Sequence, residues 1–140
     1  MNRKIHFLTI VLSLILSVAR GQGTFQNLGF ESGTFIPIPG DPYDRVEFAA
    51  AMPGWTGYIG ANPATTLLYN NYFLGTAGIG RHDASSPYGP PLQSSYSLLL
   101  QAGSNPYAGI FDYLAATIAQ SGTVPVNANS LRLQIGRAHV

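Results

Sequence analysis

The 140-residue sequence predicts an all-β fold, a β-sandwich of short strands, and three observations support this. Glycine and proline are abundant, with 16 and 10 residues, and they divide the chain into short segments. Several of these segments are rich in aromatic and β-branched residues or alternate apolar with polar positions. Charged residues make up only 9 %, against about 25 % in an average globular chain, which argues against long surface helices.

Residues 1–21 have the order of regions found in a secretory signal peptide. Arg3 and Lys4 give a positively charged start, and an apolar run follows from Ile5 to Ala19. This run is shorter than the roughly 20 residues of a membrane span. We therefore expect an exported protein, extracellular or at the cell surface, with cleavage after Ala19 or Gly21. A buried first helix or a membrane anchor is the alternative.

The first half of the remaining chain predicts two strands, a loop, and a segment that forms either a short strand or a helical turn. Thr24–Glu31 alternates in part, and a proline-rich loop or extended edge follows over residues 34–44. Val46–Ala51 predicts a short strand or a helical turn. The next strand covers residues 54–60 and has two expected faces, with Trp55, Gly57 and Ile59 on one and Thr56 and Tyr58 on the other.

The second half predicts further strands. Residues 65–74 are broken by Asn70–Asn71, a pair typical of a hairpin tip. Ser95–Gln101 predicts a buried strand, and Ala108–Gln120 alternates in part as a strand does. Ser130–Leu133 begins a last strand, with apolar residues at Leu131 and Leu133.

The last six residues, Ile135–Val140, resemble the translation of a common short-read sequencing adapter. The reading frame agrees on both sides, because Gln134 fits the preceding adapter bases and the next adapter codon is a stop. We therefore expect residues 135–140 to be an artefact and residues 22–134 to be the N-terminal part of one longer β-sandwich domain. A genuine short tail is the alternative.

Charge and cysteine content exclude several functions. Residues 22–134 hold three arginines against six acidic residues, a net charge of −3, which gives no electrostatic basis for binding nucleic acid. The chain has no cysteine, so a disulfide scaffold, a thiolate zinc site and a cysteine nucleophile are excluded.

Five motifs, in their order along the chain, carry a resemblance to a known group. They are Asn27–Glu31 (NLGFE), Pro53–Thr56 (PGWT), Ser97–Leu100 (SLLL), Ile118–Pro125 (IAQSGTVP) and Ser130–Leu133 (SLRL). The chain resembles exported bacterial proteins of the PEP-CTERM type with a galactose-binding-like jelly roll, common among Verrucomicrobia and Planctomycetes. The resemblance implies a jelly roll and a C-terminal sorting tail. The sequence lacks that tail and the closing strands, so membrane contact is expected only through the export signal or the lost tail.

The resemblance also implies a metal site at Glu31. In galactose-binding-like folds a carboxylate after the first strand often helps to bind a structural Ca²⁺, which takes six to eight oxygen ligands. A further ligand comes from a last strand that is absent here, so calcium is expected in the full-length parent. The alternative is a solvated acid, or one bonded to backbone.

Trp55 and Tyr58 are the candidate ligand-binding residues, because an aromatic face suits the C–H side of a sugar ring. Core packing is the alternative for Trp55, since a tryptophan commonly fills a sandwich interior. Tyr69, Tyr72, Tyr88 and Tyr107 extend the set of aromatic residues.

No catalytic residues are expected. The acid pair Asp41 and Asp44 lies on a proline-rich loop where nothing sets the separation that glycoside hydrolysis needs, so an ordinary turn is favoured. In Arg81–His82–Asp83, adjacent strand residues point to opposite faces, and no Gly-x-Ser-x-Gly elbow supplies a nucleophile.

These observations favour an exported non-catalytic protein that binds carbohydrate or extracellular matrix, with an extracellular polysaccharide as its partner. One alternative is a purely structural component of the cell surface or biofilm. Another is an accessory domain of a secreted glycoside hydrolase.

Overall fold

The computed structural model describes residues 24–105, 113–133 and 135. In this part of the chain nearly all regular structure is β, which confirms the all-β fold class. The predicted signal peptide at residues 1–21 lies outside the described residues, as do Gln134 and residues 136–140. Those predictions stay predictions.

Nine short strands and one helical turn make up the described elements. They are β1 (Arg45–Glu47), α1 (Phe48–Ala51), β2 (Thr56–Ile59), β3 (Asn62–Pro63), β4 (Thr66–Tyr69), β5 (Gly78–His82), β6 (Ser97–Gln101), β7 (Gly103–Ser104), β8 (Tyr113–Leu114) and β9 (Ala116–Ala119). The segment Val46–Ala51 therefore contributes both predicted structures, the end of a strand and a helical turn.

The larger of two compact units contains residues Gln26–Gln120 and carries all of these strands. One sheet has the order β1-β4-β5-β6, a second has the order β3-β2-β9, and β7 pairs with β8. Five residues of β6 pair antiparallel with β5, from His82↔Ser97 to Gly78↔Gln101. Four residues of β9 pair with β2, from Thr56↔Ala119 to Ile59↔Ala116.

The hairpin prediction at Asn70–Asn71 is wrong, because β4 and β5 are parallel neighbours. Asn70 does adopt a left-handed conformation, with φ of 51°, as turn asparagines often do. However, the chain then runs back through residues 71–77 before β5 begins. A local turn signal marks where a strand ends and does not specify which strand pairs with it.

The core lies between the two main sheets. Leu67 of β4 and Ile79 of β5 are 2 % and 3 % exposed, and Ile59 of β2 is 4 % exposed. Phe48, at the start of α1, packs into the same cluster. The alternation predicted for residues 54–60 is confirmed, because Gly57 and Ile59 are buried while Thr56 is exposed and Tyr58 half-buried.

Three other strand predictions need correction. Residues 24–31 form no strand, and the Asn27 side chain closes a loop there by accepting a hydrogen bond from the Ser32 N–H (2.7 Å) and donating one to the Ser32 carbonyl (3.0 Å). The segment 130–133 is not a strand, and Leu131 and Leu133 are 87 % and 74 % exposed. The strand within Ser95–Gln101 exists as β6, but at a sheet edge with Leu100 45 % exposed.

The smaller unit joins the described residues 24–25 to Ser121–Arg132. The Thr24 N–H donates to the Thr123 carbonyl (3.3 Å), and the Thr123 N–H donates back to the Thr24 hydroxyl. Phe25 lies against Gly122, where a Cβ would come within 2.8 Å of the ring. A turn closed by the Ala128 N–H on the Pro125 carbonyl follows.

Candidate functional site

Three loops meet at one end of the β1-β4-β5-β6 sheet. Strands β4 and β5 are parallel, so both finish at the same end, and β1 runs antiparallel to β4 and starts there. The loops are residues 41–44 before β1, 70–73 after β4 and 83–88 after β5. We call these residues the loop cluster.

Asn71 connects all three parts of the loop cluster. Its amide nitrogen donates to the Tyr43 carbonyl (3.2 Å) and to the Asp44 carboxylate (3.3 Å). Its amide oxygen accepts from the Tyr72 N–H (2.8 Å) and from the Tyr88 hydroxyl (3.4 Å). One amide side chain therefore sets the positions of Tyr43, Tyr72 and Tyr88 relative to one another.

Asp83 is the anionic centre of the loop cluster. Its carboxylate accepts hydrogen bonds from the Ser85 hydroxyl (2.6 Å), the Asn70 amide (2.9 Å) and the Tyr69 hydroxyl. Hydrogen bonds from Ser85 and then Tyr69 hold the pKa of Asp83 well below its ordinary value of 3.8. Burial, followed by the bond to Asp83, raises the pKa of Tyr69 to about 12. Asp83 is thus a carboxylate held in its ionised form by three side-chain donors.

Exposed aromatic side chains give the loop cluster its surface. Tyr43 and Tyr88 are 43 % and 50 % exposed. The Tyr43 ring meets the Phe73 ring edge-on at 5.0 Å, and the Arg45 guanidinium lies 5.1 Å from its centroid. The Tyr88 ring meets the Tyr72 ring at 4.1 Å, tilted by 67°. The exposed rings of Tyr43 and Tyr88 are therefore each supported by a second aromatic ring and lie near amide, hydroxyl and carboxylate groups.

His82 lies beneath this surface and is 8 % exposed. Its Nδ1 is 3.0 Å from the Ser86 hydroxyl oxygen, and its ring meets the Tyr88 ring edge-on at 6.1 Å. Burial lowers the pKa of His82 below 6.5, against the opposing effect of the Asp83 charge. The carboxylate of Asp83 bonds to Tyr69, Asn70 and Ser85, so His82 and Asp83 have separate partners as strand alternation predicts.

Arg81 points the other way, into the core-facing side of β5, and is fully buried. Its Nη1 donates to the carbonyl of Ser32 (3.0 Å) and to that of Ala51, near the end of α1. The guanidinium carbon lies 4.0 Å from the Tyr96 ring centroid and 4.8 Å from that of Phe35. Burial lowers the pKa of Arg81. These contacts tie segment 32–35, α1 and β5 together, which is a structural role.

The two residues predicted to bind a ligand, Trp55 and Tyr58, have different surroundings. Trp55 is half-buried beside the core, its indole N–H donates to the Asn27 carbonyl (3.0 Å), and its ring packs on Phe30 at 5.4 Å. Tyr58 is half-buried on the other face of β2. The two side chains therefore do not form one platform.

Glu31, the predicted metal ligand, is held by backbone. Its two carboxylate oxygens accept from the Ser95 N–H, both at 3.2 Å, and one also accepts from the Tyr96 N–H at 3.3 Å. Among the described residues no group of three or more histidine, cysteine or acidic side chains is placed to hold a metal ion. Calcium in a longer parent stays a prediction.

The acid pair Asp41 and Asp44 has the local bonds of a turn. Asp41 accepts from the Tyr43 N–H (2.8 Å) and from Arg45 Nη1 (3.1 Å). Asp44 has φ of 57° and accepts from Asn71. This agrees with the turn that the sequence favours.

Asn70 and Asn71 were not among the site residues predicted from the sequence. The available signal was a run of two amides flanked by Tyr69 and Tyr72, polar groups among aromatic rings. Their role depends on residues 83–88, which only the β4–β5 pairing brings close.

Comparisons with known proteins found no match to this chain among family models, curated proteins or solved structures. No helix in residues 24–105 or 113–133 is long and apolar enough to cross a membrane.

Proposed function

We propose that this chain is an exported, non-catalytic module that binds an extracellular polysaccharide through the loop cluster. The observation that carries the proposal is the exposed Tyr43 and Tyr88 surface, held in place by Asn71. Aromatic rings can stack on the C–H faces of pyranose rings, while amide and carboxylate groups accept or donate to sugar hydroxyls. A concave pocket is not needed for a polymer that lies across a surface.

The charge of the chain favours a neutral polymer. Residues 22–134 carry a net charge of −3, and Asp41, Asp44 and Asp83 lie within the loop cluster itself. An acidic polysaccharide would meet like charges there, which reduces affinity and association rate. A polymer of neutral hexoses is the class of ligand that fits.

A glycan array followed by calorimetric titration of the best ligand tests this proposal. Tyr88→Ala and Tyr43→Ala should each weaken binding by about fivefold, since one stacking contact contributes about 1 kcal/mol. Tyr113→Ala is the matched control, because Tyr113 is 81 % exposed and lies outside the loop cluster. If Tyr58→Ala abolishes glycan binding while Tyr88→Ala retains it, the binding site lies at β2 and not at the loop cluster.

The alternative of a structural surface component makes a different prediction. A correctly folded protein that binds no glycan on the array, at any concentration tested, would support that alternative and contradict the proposal.

A further inference from the structure

Ser86 links His82 to Tyr88 at the loop cluster. The Ser86 hydroxyl oxygen lies 3.0 Å from His82 Nδ1 and accepts the Tyr88 N–H at 3.3 Å. The Ser86 backbone also closes the loop, since its N–H donates to the Asp83 carbonyl (3.1 Å) and its carbonyl accepts from the Gly89 N–H (3.4 Å). His82 and Ser86 are each 8 % exposed, whereas Tyr88 is 50 % exposed. One buried hydroxyl therefore joins a histidine of β5 to an exposed tyrosine of the loop cluster.

These hydrogen bonds suit a neutral imidazole. The Ser86 oxygen accepts from Tyr88, and its own proton can go to Nδ1 of His82 as long as that nitrogen carries none. Protonation of the ring makes both of its nitrogens donors. The Ser86 proton then has no place on Nδ1, and Nε2, which is buried, meets no hydrogen-bond partner among the described residues. A charged ring in this position therefore needs water that the closed loop keeps out.

Burial and charge act on His82 in opposite directions. Burial, the larger effect, lowers its pKa below 6.5, and the Asp83 charge opposes that effect. The Asp83 carboxylate is bonded to other donors, and Arg81 lies on the other face of β5. The neighbouring side chains from the other elements are uncharged in mild acid, namely Ser97 on β6, Asn71 and Tyr72 after β4, and Tyr88.

We propose that His82 and Ser86 form a pH-sensitive switch that holds Tyr88 in place at neutral pH and releases it in mild acid. The imidazolium gains hydration when segment 83–88 turns outward, because Ser86 and Tyr88 both contact the ring. The bond from the Tyr88 hydroxyl to Asn71 is 3.4 Å long, so it resists this movement only weakly. The effect on a ligand rests on the proposed function: with Tyr88 displaced, the loop cluster loses one of its two exposed rings and releases the polysaccharide.

Nuclear magnetic resonance spectra of the protein without ligand test the switch. Between pH 7.5 and 4.5 the amide signals of Tyr88 and Gly89 should shift with the same midpoint as the His82 ring, identified as the imidazole resonance that is missing from His82→Gln. The two amide signals in His82→Gln should lack this transition, because glutamine takes up no proton. Ser86→Ala should keep the His82 titration and uncouple it from Tyr88. Ser85→Ala is the matched control, since that exposed hydroxyl bonds to Asp83, and it should keep the coupling.

Two results in these spectra would overturn the proposal. One is that the Tyr88 and Gly89 amide signals stay fixed while His82 takes up its proton, and the other is that His82 takes up no proton above pH 4.5. The same transition at Tyr88 in Ser86→Ala as in the natural protein would also contradict the role of the shared hydroxyl.

Calorimetric titration with the glycan selected on the array separates the switch from the proposed function. Below the His82 midpoint the apparent Kd of the natural protein should rise by at most about tenfold per pH unit, and that of His82→Gln should stay constant. An equal loss of affinity in both proteins would contradict the switch. A Tyr88 transition in a protein that binds no glycan would support the switch and contradict the proposed function alone.

Discussion

Asn70 and Asp83 hold each other through a reciprocal pair of hydrogen bonds, both 2.9 Å long. The Asn70 amide donates to the Asp83 carboxylate, and the Asp83 N–H donates to the Asn70 amide oxygen. These residues follow the parallel strands β4 and β5 directly, so the pair joins the two loops where they leave the sheet. The bond that Asn70 donates is strongest when the Asp83 carboxylate is ionised.

Acidification should release this pair. The pKa of Asp83 is lowered in the folded protein, so the folded state binds fewer protons than the unfolded state below about pH 4, and stability falls as the pH falls. Asp83→Asn should lower the urea midpoint of unfolding at pH 6. The difference in midpoint between this variant and the natural protein should shrink as the pH approaches 2. A difference that stays constant over this range would contradict a lowered pKa at Asp83.

Alkaline titration should identify Tyr69. Because the pKa of Tyr69 is raised to about 12, its contribution to stability is present below pH 10 and is lost as the pH rises through 12. Ultraviolet titration should show a tyrosine that ionises near pH 12, and Tyr69→Phe should remove that step. Tyr113→Phe, at an exposed position, should leave it in place.

His82 should make the protein less stable in mild acid. Its folded pKa lies below 6.5, so below that pH the unfolded state takes up a proton that the folded state does not. The free energy of unfolding should therefore fall with decreasing pH by at most about 1.4 kcal/mol per pH unit. In His82→Gln this slope between pH 7 and 5 should shrink, and an unchanged slope would show that another group is responsible.

The sequence predicted those parts of the fold that follow from local pattern. The two faces of β2 follow from period-2 alternation about Gly57 and Ile59, because one face must be buried. The segment 24–31 has a similar apolar pattern, yet the Asn27 side chain bonds to Ser32 and bends it away from a sheet. The loop cluster could not be predicted from the sequence. It depends on the parallel pairing of β4 with β5, which is set by long-range contacts and not by the turn residues.

The buried Arg81 should matter far more for stability than the surface Arg45. Arg81→Ala leaves the carbonyls of Ser32 and Ala51 without their donor and opens space between two aromatic rings, so we expect a loss of about 3 kcal/mol or more. Arg45 forms a single ion pair with Asp41 and is 37 % exposed, so Arg45→Ala should cost less than about 1 kcal/mol. Urea unfolding of the two variants provides the comparison, and equal losses would refute it.

Export should remove the start of the chain. The positive Arg3 and Lys4 and the apolar run to Ala19 predict cleavage after Ala19 or Gly21 in a Gram-negative host. The intact mass of the periplasmic protein measures this directly. Retention of Met1 in that product would show that the segment is not a cleaved signal.

The tight contact between the two sheets at Gly57 should make this position intolerant of any side chain. A Cβ at residue 57 would overlap the Phe48 ring and come within 2.8 Å of Ile79 Cδ1, and both side chains belong to the buried core. Gly57→Ala should therefore lower the free energy of unfolding by about 1–3 kcal/mol through overpacking. Gly78→Ala is the matched control in β5, since its Cβ would lie 3.7 Å from Leu68 Cδ1, an ordinary contact. That substitution should be neutral or stabilise the protein by about 0.4–1 kcal/mol, because alanine restricts the unfolded chain. If the two variants unfold at the same urea concentration, the sheets do not meet at Gly57 as described.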